Sequence, residues 1–331
     1  MSSHVVARRA VVAGVALVLA AAGSAVPGVA QASYPDKPIR VIVPFPPGGG
    51  GDTLARLTLS AVADELGQPF VFENIAGAGG NIGTAQGVRA APDGYTLLYG
   101  TNGTLGINAT LYDKLDYNPL TDLAPVSRLS EIGLVAVTRP GFPATTPQAL
   151  VEAIRQQPGK ITFGSAGNGT TSHLAGVMFG QQLGLNMVHV PYRGGAPAMT
   201  DLMGGQIDMM IEISASTVPQ VKGGRIQGLA VSTAAPLASV PDLPTLTATV
   251  APGFVVTAWD ALMVPAGTPQ AVIDRLAEAV QKAMAKPALA AQLEARGATI
   301  SPLSPVETRA FLAAEHKRWG DAVRASGARV E

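Results

Sequence analysis

Short apolar runs alternate along the chain with segments whose apolar residues recur every three to four positions. Ile39 to Val43, Phe70 to Glu73, Thr96 to Tyr99, Ile161 to Phe163, Met187 to Val190, Ile207 to Ile211 and Leu229 to Val231 each read as a buried strand. Between them lie helical patterns. Thr146 suits an N-cap, Pro147 a first helical turn, and Leu150, Val151 and Ile154 share one face before Pro158-Gly159 ends the helix. A second helix begins at Thr268-Pro269 and carries Ile273, Leu276, Val280 and Met284 on one stripe. The alternation predicts an α/β fold with mainly parallel sheets. Two long segments, 103–128 and 234–258, break the rhythm, the second rich in proline at Pro236, Pro241, Pro244 and Pro252. They read as two crossings between one α/β lobe and another.

The first 32 residues carry Arg8 and Arg9, an apolar run from Ala10 to Ala22, and Ala30-Gln31-Ala32. This pattern predicts a secretory leader cleaved after Ala32, by the general or the twin-arginine route, and a periplasmic protein. The chain has no cysteine, which excludes disulfides, thiol catalysis, thiolate metal sites and a lipidated cysteine anchor. Removing Arg8 and Arg9 with the leader takes the 23 basic residues to 21 against 23 acidic ones, a net charge of about −2. No basic patch suggests nucleic acid, and no later apolar stretch suggests a membrane span.

Three loops join a strand to a helix start, where free amide N–H groups favour anions. The first is VPFPPGGGGD (Val43 to Asp52), with Asp52 and Thr53 opening the following helix. The second runs from Phe163 through Ser165 and Gly167-Asn168-Gly169 to His173, and the third is Tyr99-Gly-Thr-Asn-Gly103. None fits a familiar enzymatic motif. A P-loop needs lysine where Asp52 stands, a dinucleotide fingerprint needs glycine at Ser172, and a nucleophile elbow needs glycine at Phe163. A single glycine loop often only turns the chain. Two of the same layout, in opposite halves, point to a shared cleft.

VPFPPGGGGD, Pro92-Asp-Gly-Tyr-Thr96, FGSAGNGTTSHL ending at Leu174, Val190-Pro-Tyr-Arg-Gly-Gly-Ala-Pro-Ala198, Asp201-Leu-Met-Gly-Gly-Gln-Ile-Asp208 and Pro265-Ala-Gly-Thr-Pro269 occur in the order of the Bug family motifs. The chain resembles these extracytoplasmic solute receptors of tripartite tricarboxylate transporters over essentially its whole mature length. The resemblance implies the periplasmic-binding-protein type II fold, with lobe 1 at 33–130 plus 262–331 and lobe 2 at 131–261. It also implies reversible capture of a small organic carboxylate for the transporter's membrane subunits, by a free monomer with no chemical step and no cofactor.

On this reading the first loop contributes Phe45, Pro47, Gly48, Gly49, Gly50 and Gly51, and the third contributes Thr101 and Asn102. Ser165, Gly167, Asn168, Gly169, Thr170 and Thr171 come from the second, with its amides from Gly167 to Thr170 facing the anion. Tyr192 and Arg193 follow the strand ending at Val190, Arg193 being either the one cation beside the cleft or a solvated surface arginine. Glu212 and Trp259 complete the set, Glu212 facing the far part of the ligand or bonding to backbone. Asp260 reads as a rim residue. His173 reads as packing, and with His189 on another element and no carboxylate cluster nearby, zinc is rejected. Hydrogen bonds to a charged group are worth about 1.5 to 3 kcal/mol each, so four or five donors suffice for micromolar capture. Two alternatives remain open: a ligand sensor for a membrane signalling partner, and an exported hydrolase using Ser165 and His173.

Overall fold

The computed structural model describes residues 34–328 and 330, and the leader expected at 1–32 lies outside them. The apolar run at Ile39 forms β1 (Ile39–Val43), in which every residue but Arg40 is buried. There follow α1 (Gly50–Leu66), β2 (Phe70–Asn74), α2 (Asn81–Val88) and β3 (Thr96–Thr101). A π-helical turn over Gly103–Ile107 and the short α3 (Asn108–Leu111) lead into β4 (Leu123–Thr138). Next come α4 (Pro147–Gln156), β5 (Thr162–Ser165), α5 (Thr171–Leu183), β6 (Val188–Pro191), α6 (Gly195–Met203) and β7 (Met209–Ile213). The chain continues through α7 (Ser214–Lys222), β8 (Gln227–Val231), α8 (Leu246–Thr249) and β9 (Thr257–Pro265). It ends with α9 (Gln270–Met284), α10 (Pro287–Glu294), β10 (Ala298–Ile300) and α11 (Pro305–Ser326).

One sheet path runs β2-β1-β3-β9-β4-β7-β5-β6, with β8 and β10 also paired to β4. β1 lies parallel to β2 and β3, and β5 lies parallel to β6 and β7. Between these triplets β4 and β9 run antiparallel to each other and to their other neighbours. The sheet is therefore mixed, against the expectation of mainly parallel pairing. The βαβ units return the chain parallel to itself within each triplet, whereas β4 leaves the first triplet for the second and β9 runs back. Most of the expected crossing 103–128 is helical turn and extended chain, and the strand that connects the triplets is β4 itself.

Local chemistry explains the helix boundaries. Thr146 accepts the Ala149 amide and Pro147 opens α4, as its sequence predicts. α9 buries Ile273, Leu276, Val280 and Met284 on its expected stripe. In α11, Ser304 and Glu307 form a reciprocal capping box. α1 starts two residues before the predicted Asp52, with Gly49 as a cap that brings no side chain. The main core joins β1, α1, β4, α5 and α9 through residues such as Val41, Leu59, Leu134, Phe179 and Leu276, all fully buried.

Candidate functional site

The carboxyl ends of β1, β3, β5 and β7 converge on one cavity, closed at the back by Ile132 of β4 and by Ala258 and Trp259 of β9. The lined space, its mouth included, is about 610 Å³. That is room for a few waters or one small solute. Phe45, Gly49, Gly50, Gly51, Thr101, Asn102, Thr170, Thr171, Glu212 and Trp259, all expected from the sequence, line it.

Side-chain-free backbone lets the walls meet. A Cβ on Gly50 would fall 2.6 Å from Ile213 Cδ1, and one on Gly194 would fall 2.2 Å from Pro46 Cγ. Gly194 also sits at φ +140°, a conformation that suits glycine. The α1 start and the β7 end are therefore in direct contact beside the cavity.

The two glycine loops differ in which amides they leave open. In the first, the Gly48 amide donates to Asp52 Oδ2 at 3.0 Å. Asp52 Oδ1 in turn accepts from Arg56 Nε at 2.9 Å and Asn74 Nδ2 at 2.8 Å. Asp52 thus braces the loop, and Pro47 and Gly48 lie exposed, away from the cavity. The amides of Gly50, Gly51 and Asp52 belong to the first helical turn, which has no intrahelical acceptor for them.

In the second loop, Gly167 N donates to Ser165 Oγ, Gly169 N to His173 Nδ1 and Thr170 N to the Gly167 carbonyl. Ala166 N donates to Ser172 Oγ. The amides of Thr171 and Ser172, in the first turn of α5, have no intrahelical acceptor, and both residues line the cavity. Thr171 Oγ1 donates to Asn102 Oδ1 at 2.8 Å and so ties this helix start to the end of β3.

The other expected residues lie elsewhere. Ser165 is fully buried behind the loop. Gly167, Asn168, Tyr192 and Arg193 line a neighbouring pocket with Gly79, Tyr112 and Pro191. Gly169 lines neither. Arg193 is exposed, and the cavity wall contains neither Lys nor Arg.

Glu212 is the one acidic side chain in the wall. Burial pushes its carboxyl up to about 7, against the pull of the Ile213 amide and the nearby Ser172 hydroxyl. Oε1 accepts the Ile213 amide at 3.0 Å, while Oε2 is buried with no hydrogen-bond partner among the described residues. Asn102 Nδ2, also buried, has none either. Asp260, read as a rim residue, is instead fully buried. It accepts from Tyr99 Oη, and from Ser130 N at 2.8 Å and Ser130 Oγ at 2.7 Å. β9 is paired on both sides, with β3 through Thr101 and with β4 through Ser130, so Asp260 lies on a central strand and not at a rim.

Ser165 Oγ pairs with His189 Nε2 at 2.7 Å, not with His173. The two imidazoles stack at 4.3 Å between ring centroids. Burial lowers His173 to about 4, and burial with repulsion from His173 lowers His189 to about 3. Both are neutral packing groups near pH 7. Among the described residues no cluster of three or more His, Asp or Glu side chains is placed to hold a metal ion.

The family model described as tripartite tricarboxylate transporter family receptor matches residues 54–328. The chain belongs to this receptor family. BugT of Bordetella pertussis is 36% identical over 318 residues, covering 96% of this chain and 97% of BugT. The structure of R. palustris Rpa4515 with adipate superposes with a TM-score of 0.86 at 30% identity, covering 89% of this chain and 98% of that one. MatC of Rhodopseudomonas palustris with bound malate gives 0.83 at 32% identity, covering 88% and 100%. The mixed α/β fold is that of solved periplasmic binding proteins of the Bug type.

In this receptor the wall residues missed from sequence are Pro46, Tyr99, Ile132, Ala166, Ser172, Gly195, Ile213 and Ala258. Tyr99 sits at the end of a strand that the sequence predicts, so the strand-end rule itself signals it. Ser172 is signalled by its place in the first turn of α5. Ile132 lies on β4 and carries no sequence signal of its own.

Proposed function

We propose that the protein captures a small organic carboxylate in this cavity and passes it to the membrane subunits of a tripartite tricarboxylate transporter. The observation that carries the reading is the convergence of two long helix starts, those of α1 and α5, on one cavity whose lining has no basic side chain. Each start carries roughly half a positive charge and several amides without intrahelical acceptors. A carboxylate held between Gly50 and Gly51 on one side and Thr171 and Ser172 on the other replaces its lost hydration with about four amide donors. At about 1.5 to 3 kcal/mol for each such bond, this offsets desolvation and association and leaves micromolar affinity.

Adipate in Rpa4515 and malate in MatC are acids of the class proposed. The working motion is opening and closing of lobe 1 (33–130 plus 262–331) on lobe 2 (131–261), with β4 and β9 as the connections. The protein works as a free periplasmic monomer after cleavage at Ala32. Among the described residues no helix is long and apolar enough to cross a membrane.

A thermal-shift screen of the mature protein against mono-, di- and tricarboxylates, amino acids and aromatic acids tests capture, because a ligand specific to the folded state raises the midpoint. At least one acid raises it, and neutral sugars and amides do not. A shift given only by neutral solutes contradicts the reading.

A further inference from the structure

The wall of the cavity presents two buried polar atoms that the protein leaves without partners, Glu212 Oε2 and Asn102 Nδ2. One is an acceptor and the other a donor. Glu212 is 3% exposed and Asn102 1%, so neither atom is served by bulk water. An unpaired buried polar atom costs free energy, and such atoms mark places where a partner binds. Oε1 of the same carboxyl already accepts the Ile213 amide and the Ser172 hydroxyl stands close to the group, so Oε2 is the oxygen left to accept a further donor. Gly195, whose Cβ would stand 3.9 Å from Oε2, brings no side-chain donor to it.

Charge narrows the class of solute. Glu212 is the only acidic side chain in the wall, and no Lys or Arg in the wall neutralises it. A plain acid held at the α1 and α5 starts adds a second negative charge to the same small space. An amino acid brings its own cation. With its carboxylate at the helix starts and Asn102 Nδ2, its ammonium would have Glu212 Oε2 as an acceptor.

We propose that Glu212 is the specificity-determining residue of this receptor and that the preferred ligand is an amino acid zwitterion, its ammonium group bound to Glu212 Oε2. The proposal rests on the carboxylate-capture reading above and goes further by assigning the second half of the ligand.

The test uses calorimetric titration of the mature protein with the standard amino acids, each paired with its deaminated analogue: aspartate with succinate, glutamate with glutarate, alanine with propionate. Malate serves as the hydroxyl counterpart of aspartate. A charge-assisted hydrogen bond corresponds to at least about a tenfold preference for an amino acid over its own analogue. Glu212→Gln brings that ratio close to one. If Glu212→Gln does not fold, the wild-type ratio still decides, and Glu212→Asp, which withdraws the carboxylate by one methylene, lowers it. The proposal is overturned if the deaminated acid binds as tightly as the amino acid, or if malate exceeds aspartate. Either result leaves carboxylate capture standing. If no acid in the panel binds, both readings fall.

Discussion

Trp259 and Trp319 donate their indole N–H groups to the same atom, Glu315 Oε2, at 2.6 and 3.0 Å. Trp259 lies in the cavity wall on β9, while Trp319 and Glu315 belong to the last helix, α11. The shared carboxylate couples the wall to that helix, and Arg318 completes its coordination at 2.7 Å. Ligand binding therefore changes the emission of Trp259 first and of Trp319 through Glu315. Trp259→Phe removes most of the fluorescence response, and Trp319→Phe keeps most of it. The reverse order places the ligand away from β9. Glu315→Ala, which strands two buried indole donors, lowers stability by about 2 to 4 kcal/mol in a urea titration.

Gly50→Ala introduces a methyl group 2.6 Å from Ile213 Cδ1 and 3.2 Å from the Ser216 amide. Ile213 has a movable end, but the Ser216 backbone has little freedom. The expected cost is about 1 to 3 kcal/mol, falling mainly on the closed, ligand-bound arrangement. Calorimetry then shows weaker binding, with a smaller change in the ligand-free melting temperature. An unchanged dissociation constant means that the α1 start and β7 do not close around the ligand.

Acid destabilises the fold through the stacked histidines. Their folded-state values, about 4 for His173 and about 3 for His189, lie below the usual 6.5 because burial disfavours the charged form. The unfolded chain therefore binds more protons than the folded one at intermediate pH. Stability is full above about pH 6.5 and falls as pH drops toward 4. Urea midpoints measured between about pH 4 and pH 7 show this decline. His189→Phe, which retains stacking but cannot be protonated, makes it shallower. An equally steep decline in the variant assigns the acid sensitivity to other groups.

Binding responds to pH in the opposite sense for two classes of ligand. Glu212, on β7, faces Ser172 of α5 and Gly195 of α6, and the other ionisable group in the wall is Tyr99, neutral because burial and Asp260 raise it. Asp52 at the α1 start is paired with Arg56. A zwitterion needs Glu212 ionised, so below about pH 7 its affinity falls by up to about tenfold per pH unit. A deaminated acid needs Glu212 protonated, so its affinity falls as pH rises above that value. Titrations of one amino acid and its analogue across the range separate the two.

Much of the fold is written in local pattern. β1 and the caps of α4 and α9 follow from apolar runs and from Thr146, Pro147 and Pro269. β4 is less legible because register shifts between Pro125 and Ser127 and between Arg128 and Ser130 break its alternation. Serines, a proline and Glu131 there imitate a loop. At the site, the strand-end rule finds Thr101, Asn102, Thr171 and Glu212. It cannot tell which amides stay open, since that depends on hydrogen bonds such as Gly169 to His173, made after the loop has folded. Arg193 and Asp260 show the same limit. Arg193 is exposed, and Asp260 is covered by Tyr99 and Ser130, which come from β3 and β4 far away in the chain.

The most direct test of the two-helix clamp is a crystal structure with the acid that gives the largest thermal shift. The carboxylate is expected within hydrogen-bonding distance, directly or through one water, of the Gly50 or Gly51 amide and of the Thr171 or Ser172 amide. A carboxylate bound instead beside Arg193, in the neighbouring pocket lined by Asn168 and Tyr192, contradicts the account.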